Sequence, residues 1–220
     1  KIDLCNSGIL VVYAKHLFQL LSNLGNNNKA GEYYLTDIIG AASDKALHCR
    51  VLEVDGGELS GINTREQLVN AEAVMQQKLR KKAMENGVTL IDPSSVYLRA
   101  DTVIASDVII HPQVVFGAGV KIETRVEIRS FSHIEGAHVK SGAVVGPFAR
   151  LRFGSVVGVD AHVGNFVEIK NSNLGDGAKA NHLSYIGDSD VGTKANIGAG
   201  TITCNYDGFN KYQTKIGKRA

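Results

Sequence analysis

Several features that would narrow the function of a protein are scarce in this sequence of 220 residues. There is no tryptophan, and the three cysteines, Cys5, Cys49 and Cys204, are odd in number and far apart, which argues against a disulfide framework and a CxxC metal site. No stretch approaches the roughly 18 uninterrupted apolar residues of a membrane span, and no secretory signal is visible. The 24 basic and 22 acidic residues form no strong block, so nucleic-acid binding has no electrostatic footprint. These absences favour a protein of the reducing cytoplasm.

What the sequence has instead is a six-residue repeat that begins near Ile104 and continues almost to the C-terminus. Apolar residues fall six apart in two long series, which are Ile104, Ile110, Phe116, Ile122, Ile128, Ile134 and then Val145, Leu151, Val157, Val163, Ile169. Six fits neither an α-helical face nor strand alternation, but it is the period of a parallel β-helix. A β-sandwich has no reason to hold one period over about a hundred residues. We therefore predict a mainly β chain in which residues 88–220 form a β-helix of hexapeptide repeats.

Finer features of the repeat give further expectations. The fourth residue after each lead residue is small or branched, as in Val108, Val120 and Ala149, which suits a second inward position. Glycine directly follows many lead residues, as in Val145-Gly146 and Val163-Gly164, where we expect a tight corner to favour a residue without Cβ. The period shortens by one residue in three places, namely Ile134 to Val145, Ile169 to Leu174, and Ile186 to Val191.

The sequence before the repeat is α/β in character. Residues 8–13 and 50–54 are predicted as strands, the first of them buried, and residues 14–24 and 32–42 as helices. The apolar side of the first helix would carry Leu17, Phe18, Leu20, Leu21 and Leu24. Two strands cannot close a doubly wound sheet, so we interpret residues 1–62 as the C-terminal remnant of a larger α/β domain.

Residues 63–87 are predicted to form a helical connecting arm. Asn63 is expected to cap a helix with Glu66 at its third position, and the helix should run to about Glu85 and stop at Asn86-Gly87. One side of this helix is apolar and is expected to lie on another part of the protein, with the residues Leu68, Ala71, Val74, Met75 and Leu79.

One stretch near the C-terminus departs from the six-residue period. The run from Asn196 to Gly208 leaves the period after Thr203, and the period returns only at Ile216-Gly217. This predicts a projecting loop of about a dozen residues, and loops on a rigid scaffold are where binding and chemistry concentrate.

Four runs resemble the acetyltransferase half of a bifunctional bacterial enzyme family, the N-acetylglucosamine-1-phosphate uridyltransferase/glucosamine-1-phosphate N-acetyltransferases. They are Gly146 to Arg152, His162 to Lys170, His182 to Gly187 and Asn196 to Gly208. Asn6 to Ile9, Gly31 to Ile39 and Gly61 to Asn63 are similar to the end of the uridyltransferase half. The resemblance implies a left-handed β-helix that forms a homotrimer and binds acetyl-CoA and glucosamine 1-phosphate between subunits. The full-length protein would then use UTP and Mg²⁺ to make UDP-N-acetylglucosamine for cell-wall synthesis.

The resemblance also implies roles for ten residues of this chain. His182 would be the general base, Asn205 would position the amine and the acetyl group, and the backbone amide of Tyr206 would stabilise the oxyanion. Phosphate would be bound by Arg152, Lys170 and Lys211, and the sugar by Tyr185 and Asn196. Asn6 would contact the uridine-diphosphate sugar, and Asn63 would be a magnesium ligand. Phe153 stands where the family commonly has proline.

The same family has a glycine-rich nucleotide loop before the matched region and further coils after Ala220. We therefore expect this chain to be a piece of the full-length protein and to be inactive in uridyl transfer. Acetyl transfer by the piece itself stays open, because the further coils of the family help to hold acetyl-CoA. Three alternatives stay open. They are another hexapeptide acyltransferase, a structural trimerisation module, and a zinc enzyme of the γ-carbonic anhydrase kind that uses His133, His138 and, as the only upstream candidate within the repeat, His111.

Overall fold

The structure, a computed structural model, describes residues 6–54, 59 and 61–220, which fall into two compact units, residues 1–71 and 72–220. The division between the units lies within the predicted helical arm. Cys49 and Cys204 carry free thiols, and Cys5 lies outside the described residues. None of the helices in the described part of the chain has the length and apolarity needed to cross a lipid bilayer.

The first unit is built on two short helices. Helix α1 spans Ala14–Leu21, and helix α2 spans Ile38–Asp44 after a single 3₁₀ turn at Leu35–Asp37. Both predicted helices are thus present but shorter than expected. Leu20, Ile38 and Ala42 are the buried residues of their small core. Phe18, which was expected on the apolar side of α1, is 77% exposed.

Both strands predicted for the first unit are wrong. Residues 8–13 and 50–54 form no strand, and Val11 and Leu52 are 99% and 84% exposed. A strand needs a neighbour to satisfy its backbone N–H and C=O groups, and the described residues of this unit contain no strand that could pair. An apolar run alone therefore did not produce a buried strand here.

Helix α3 spans Arg65–Glu85, close to the predicted bounds. Its N-terminal cap is Thr64 and not Asn63, because the Thr64 hydroxyl accepts a hydrogen bond from the Gln67 backbone at 3.2 Å, and the Gln67 side chain accepts one from the Thr64 backbone at 3.0 Å. This reciprocal pair is a capping box shifted by one residue from the predicted one. At the other end, Val88 and Gly87 donate to Ala83 and Met84, and the left-handed Gly87 closes the helix as predicted.

The second half of α3 is held by polar side chains as well as by apolar ones. Gln76 is buried, and its amide donates to the Leu98 carbonyl at 2.7 Å and accepts from the Leu98 N–H at 3.0 Å. Arg80 donates to the Val96 carbonyl at 2.7 Å. Val74 and Met75, expected on a packed side, are 40% and 49% exposed. The helix therefore contacts the first coil of the following repeat largely through side chains that take the place of a neighbouring strand.

The repeat forms a parallel β-helix of short strands. Their bounds are β1 Thr89–Leu90, β2 Val103–Ile104, β3 Ile109–Ile110, β4 Val115–Phe116, β5 Lys121–Ile122, β6 Glu127–Ile128, β7 His133–Ile134, β8 Ala137–Val139, β9 Val144–Val145, β10 Arg150–Leu151, β11 Ser155–Val157, β12 His162–Lys170, β13 Asn173–Leu174, β14 Lys179–Gly187, β15 Ser189–Val191, β16 Asn196–Ile197 and β17 Thr214–Ile216. A 3₁₀ turn at Pro93–Ser95 belongs to the first coil. The predicted β-helix is confirmed.

Each coil presents three faces to solvent, and residues of successive coils stack in columns. The first face carries the column Ile109, Glu127, Val144, His162, Lys179, Asn196. The second face carries Val115, His133, Arg150, Glu168, Tyr185. The third face carries Val103, Lys121, His138, Val156, Asn173, Asp190, Lys215. Strands β12 and β14 run without interruption from the first face to the second, so the first two faces form one sheet and the third face forms another.

The predicted register and core are also confirmed. Phe116 stacks on Ile134, three full repeats later, whereas Ile169 stacks on Ile186, which is one position short of three repeats, as the shortened period requires. Lead residues such as Ile110, Ile134 and Ile169 are fully buried, and so are the fourth residues after them, such as Val114. The core is therefore one continuous apolar column inside the coils.

Among the glycines that follow lead residues, Gly146 is left-handed at φ 101°, as the predicted corner requires, whereas Gly158 and Gly164 have a different role. Other turns of the coil use left-handed residues that are not glycine, such as Phe148 and Phe166 at φ 55° and 56°. A Cβ on Gly164 would lie 2.0 Å from the Asn181 carbonyl oxygen, and one on Gly158 would lie 2.6 Å from the Gly175 carbonyl carbon. These glycines are needed because the backbone of the next coil passes too closely for a side chain.

Candidate active site

Two columns of the second face bring predicted substrate-binding residues together. Arg152 and Lys170 follow Leu151 and Ile169, which are paired between neighbouring coils. Arg152 Nη1 lies 2.9 Å from Glu168 Oε1, and Arg150 lies 3.7 Å from the other oxygen of the same carboxylate. Glu168 thus fixes the Arg152 guanidinium, which carries five N–H donors and can bind an anion at the same time.

Asp188 connects this cationic face to the projecting loop. Its carboxylate accepts hydrogen bonds from the side-chain amides of Asn171, at 2.7 Å, and of Asn205, and it lies 3.8 Å from the Lys170 ammonium. The Asn171 hydrogen bond above all, and then that of Asn205 and the charges of Lys170 and Lys211, lower the pKa of Asp188. An ionised carboxylate therefore holds two predicted site residues, Lys170 and Asn205, at one place.

The loop itself is a short hairpin, and it makes the expected excursion from the coil. Leu174 pairs with Val191, and Val191 in turn pairs with Ile216. The coil from Val191 to Ile216 is therefore longer than the coil from Leu174 to Val191, because it contains the loop. Tyr206 faces Lys211 across the hairpin. The backbone hydrogen bonds of the hairpin are made by the residues on either side of this pair, with the Tyr212 N–H donating to the Asn205 carbonyl at 2.9 Å. In such a pair the facing residues direct their own N–H groups outward. The amide of Tyr206 is consequently directed away from the hairpin.

Asp207 stabilises the tip of this hairpin. One carboxylate oxygen accepts from the backbone N–H groups of Phe209 at 2.8 Å and Asn210 at 2.7 Å, and the other accepts from the Tyr212 hydroxyl at 2.9 Å. The Asn210 and Phe209 N–H groups, followed by the Tyr212 hydroxyl, lower the pKa of Asp207. Phe209 is left 92% exposed at the tip.

His182 lies where β14 turns from the first face to the second. It is exposed, and its Nδ1 lies 2.7 Å from the side-chain oxygen of Asn165, the residue paired with it one coil earlier. The next position along this corner carries an exposed stack of aromatic rings. Phe131 and Phe148 are 4.8 Å apart between ring centroids, and Phe148 and Phe166 are 5.2 Å apart.

Tyr185 and Asn196 lie on different faces of the coil. Tyr185 is half-buried on the second face, and its ring covers Gly187, where a Cβ would lie 2.5 Å from the phenolic oxygen. Asn196 is paired with Lys179 on the first face, and both line a groove of about 520 Å³ together with Asn181. The side-chain oxygen of Asn181 is buried there without a hydrogen-bond partner.

His162 belongs to the same column of the first face as Lys179. Burial first, and then the positive charges of Arg129 and Lys179, lower the pKa of His162. Glu127 opposes this shift only in part. The imidazole of His162 is therefore kept neutral at physiological pH.

The structure thus brings most of the predicted site residues to one face of the β-helix, but it does not bring all of them together. Arg152, Lys170, Tyr185, Asn205 and Lys211 belong to the second face and its loop, His182 lies at the corner, and Asn196 lies on the first face. Three residues that the sequence analysis missed support them, namely Glu168, Asp188 and Asn165. Each lies one short coil before a predicted site residue, so stepping back by one coil from Tyr185, Asn205 and His182 finds them.

The two site residues predicted for the first unit make local contacts. The Asn6 side chain accepts a hydrogen bond from the Gly8 backbone at 2.9 Å. Asn63 is exposed next to the cap of α3. No group of three or more His, Cys, Asp or Glu side chains lies together among residues 6–54, 59 and 61–220. These residues do not form a magnesium site around Asn63, and its role as a ligand stays a prediction.

The zinc alternative is not supported by the placement of its histidines. His111 follows β3 on the first face, where it pairs with Glu127 at 3.1 Å, His133 lies on the second face, and His138 lies on the third face, 2.7 Å from Glu123. The Ser141 hydroxyl first, and then His138, lower the pKa of Glu123. Three side chains on three faces of one coil stack cannot share one ion within the chain.

Comparison with known proteins finds a matching repeat model and relatives that align with the whole chain. The model of the bacterial transferase hexapeptide (six repeats) matches residues 101–136. The bifunctional protein GlmU of Azorhizobium caulinodans is 48% identical to this chain over all of the chain and 49% of its own length. The bifunctional protein GlmU of Jannaschia sp. (strain CCS1) is 52% identical over all of the chain and 48% of its own length. The one from Paracoccus denitrificans is 53% identical over 219 residues, 49% of its length.

Among solved structures, the acetyltransferase domain of PglB from Neisseria gonorrhoeae FA1090, in complex with acetyl coenzyme A, has a TM-score of 0.42 at 14% identity and covers 53% of this chain and 61% of that chain. This likeness is too weak to carry an argument. The sequence relatives are stronger evidence, because they align with the whole chain and are identical to it at about half of all positions. The chain is similar over its whole length to bifunctional GlmU proteins, and it spans about half the length of the relatives it matches.

Proposed function

We propose that this chain transfers the acetyl group of acetyl-CoA to the amine of glucosamine 1-phosphate. The full-length cytoplasmic protein would then combine the product with UTP to give UDP-N-acetylglucosamine for cell-wall synthesis. The observation that carries the proposal is the arrangement around β14. A histidine whose Nδ1 is engaged by Asn165 stands at the edge of a face that carries Arg152, Lys170 and the anchored Asn205 loop.

The chemical step requires a base and an oxyanion site. His182 Nε2 takes a proton from the sugar amine as the nitrogen attacks the thioester carbonyl carbon. The oxygen that becomes negative accepts a hydrogen bond from the outward amide of Tyr206, and Asn205 positions the amine. The C–S bond then breaks, and the leaving thiolate takes the proton from the imidazolium. The step balances without a further reactant.

Substrate binding would depend on charge. Arg152, Lys170 and Lys211 present three cations close to Asp188 and Glu168, so a phosphate monoester is attracted while the two carboxylates keep the cations in place. Tyr185 and Asn196 would bind the sugar hydroxyls. In the full-length protein, Asn6 and Asn63 would serve the uridyl-transfer site with its Mg²⁺.

A homotrimer is part of the proposal. The site residues are divided between two faces of one coil stack, which suits a site completed by a second copy, and the exposed stack of Phe131, Phe148 and Phe166 at the corner offers apolar area for such a contact. Sedimentation equilibrium at tens of micromolar is expected to give three times the mass of the chain. A monomer would remove the site between subunits.

The replacement His182→Ala tests the general-base role in the full-length protein. Turnover in acetyl transfer is expected to fall about 10²- to 10⁴-fold at a pH at which the amine is largely free, while uridyl transfer is unchanged. His138→Ala is the matched control, because it removes a hydrogen-bonded coil histidine on the third face. If His182→Ala keeps most of its acetyl transfer, His182 is not the base.

A further inference from the structure

We infer that Asn165 is a positioning residue for acetyl transfer, which holds the His182 imidazole in the tautomer and orientation needed for proton abstraction. This inference rests on the proposed function. The observation is the contact of 2.7 Å between His182 Nδ1 and the side-chain oxygen of Asn165.

The chemistry of the two groups fixes the tautomer. A carboxamide oxygen only accepts hydrogen bonds, so the ring nitrogen that faces it must carry the proton. With the proton on Nδ1, the lone pair is on Nε2, and Nε2 is the nitrogen that can accept a proton from the substrate. A histidine without this partner is free to place its proton on Nε2, where it would block the reaction.

The fold keeps the two side chains in register. Strands β12 and β14 pair in parallel along most of their length, with Asn165 opposite His182, Val167 opposite Ser184 and Ile169 opposite Ile186. The buried Ser184 hydroxyl donates to the His182 carbonyl at 2.8 Å and fixes the backbone at the corner. Phe166 and Leu183, which follow the pair, share a left-handed conformation, so both strands bend in the same way.

The surroundings leave this task to Asn165. His162 is in electrostatic contact with His182, and burial first, and then the charges of Arg129 and Lys179, lower the pKa of His162, so it is neutral and adds little charge. Glu168 is engaged with Arg152 and Arg150 on the second face. The amide of Asn165 is uncharged, whereas a carboxylate in its place would favour the protonated imidazolium.

The first test observes the tautomer directly and needs no substrate. In this chain labelled with ¹⁵N in its histidine rings, His182 is expected to show a protonated Nδ1 and an unprotonated Nε2 in two-bond ¹⁵N–¹H correlation spectra. In Asn165→Ala the Nε2-protonated form should become populated. Asn173→Ala is the matched control, because Asn173 also makes a side-chain hydrogen bond to the next coil, donating to Asp190, but on the third face. A parent spectrum with protonated Nε2 would overturn the inference.

The second test is kinetic and uses the full-length protein. Asn165→Ala is expected to lower kcat for acetyl transfer about 10- to 100-fold, a part of what a positioned base contributes, with KM changed less than about twofold. Asn165→Asp restores an acceptor, so it should recover most of kcat at alkaline pH and move the acid limb of the pH profile upward by about one unit, because a carboxylate favours the imidazolium. A residue that only stabilised the coil would not move this limb.

The outcomes separate the inference from the proposed function. If His182→Ala is inactive but Asn165→Ala keeps full kcat, or if Asn165→Asp leaves the acid limb in place, the positioning role is wrong and the base remains. If His182→Ala is itself active, the general-base proposal fails first. Should Asn165→Ala fold poorly, judged by its melting temperature against Asn173→Ala, the Asp variant and the parent NMR spectrum still decide.

Discussion

The two units of the chain differ in how completely they satisfy their own apolar and backbone groups. In the β-helix, residues such as Leu151, Val163 and Ile169 are fully buried, and each coil pairs with the coil that directly follows it in the sequence. Among the described residues of the first unit, Val11 is 99% exposed, and the buried core consists of three residues. A periodic sequence makes burial and hydrogen bonding local, whereas an isolated apolar run depends on partners that the run itself does not specify.

The largest predicted effect is on the free energy of unfolding, and its absence would contradict this comparison. Ile169→Ala should lower the free energy of unfolding by about 2 to 5 kcal/mol, because it opens a cavity in the continuous core. Val11→Ala should stay within about 0.5 kcal/mol, since its side chain is in solvent. Urea denaturation followed by circular dichroism measures both. Equal losses for the two variants would mean that Val11 is buried in solution.

The next prediction sharpens the comparison by testing whether the β-helix also holds its charged side chains in place to bind phosphate. Arg152→Ala or Lys170→Ala should raise KM for glucosamine 1-phosphate by the equivalent of about 1.5 to 3 kcal/mol of lost charge-assisted hydrogen bonding. Lys121→Ala, on the third face, is the control. Glucosamine without the phosphate should be used about equally poorly by the parent and the two site variants. Variants that discriminate between the two sugars as well as the parent does would show that these cations are ordinary surface charges.

The smallest effect concerns the anchor of the loop. Since hydrogen bonds and nearby cations lower the pKa of Asp188, the stabilisation it gives is present above the usual range of a carboxyl group and is lost as the pH falls through the lowered value. Asp188→Asn should remove about 1 to 2 kcal/mol at neutral pH, which is an increase of about 5- to 30-fold in amide hydrogen exchange at Thr214 and Tyr212.

The acid dependence should disappear with the carboxylate. In the parent, exchange at these two amides should accelerate as the pH falls, after correction for the intrinsic rate, and in Asp188→Asn this part should be absent. Asp190→Asn, which removes the charge of a carboxylate that accepts from Asn173 on the third face, is the control. Exchange that is as slow in Asp188→Asn as in the parent would place the anchor elsewhere, for instance in the Asp207 tip.

How much of the molecule could be predicted follows from the same contrast. The period alone fixed the inward residues and the shortened coils, because each partner lies one coil away in the sequence. Residues 8–13 could not be assigned correctly, because an apolar run does not reveal whether a second strand exists. The cap of α3 was misplaced by one residue, since Asn63 with Glu66 and Thr64 with Gln67 fit the same pattern, and only the observed hydrogen bonds decide between them.

For the site, the motifs identified residues with distinctive chemistry but missed those that hold them. Asn165, Glu168 and Asp188 have side chains that are common at outward positions of any coil, and their importance comes from the residue of a neighbouring coil that each contacts. The division of Tyr185 and Asn196 between two faces could not be read from their spacing along the chain without knowing where β14 turns. Stacking geometry, and not residue type, carries this information.

The contact between Gln76 and Leu98 has a consequence for solubility. The first coil of a parallel β-helix presents an open edge, with N–H and C=O groups ready to pair with a strand of another molecule. Gln76 occupies both groups of Leu98, and Arg80 occupies the carbonyl of Val96. The side chains of α3 therefore act as a stopper that ends the ladder at this position, so that coils of separate molecules do not join end to end there into a filament.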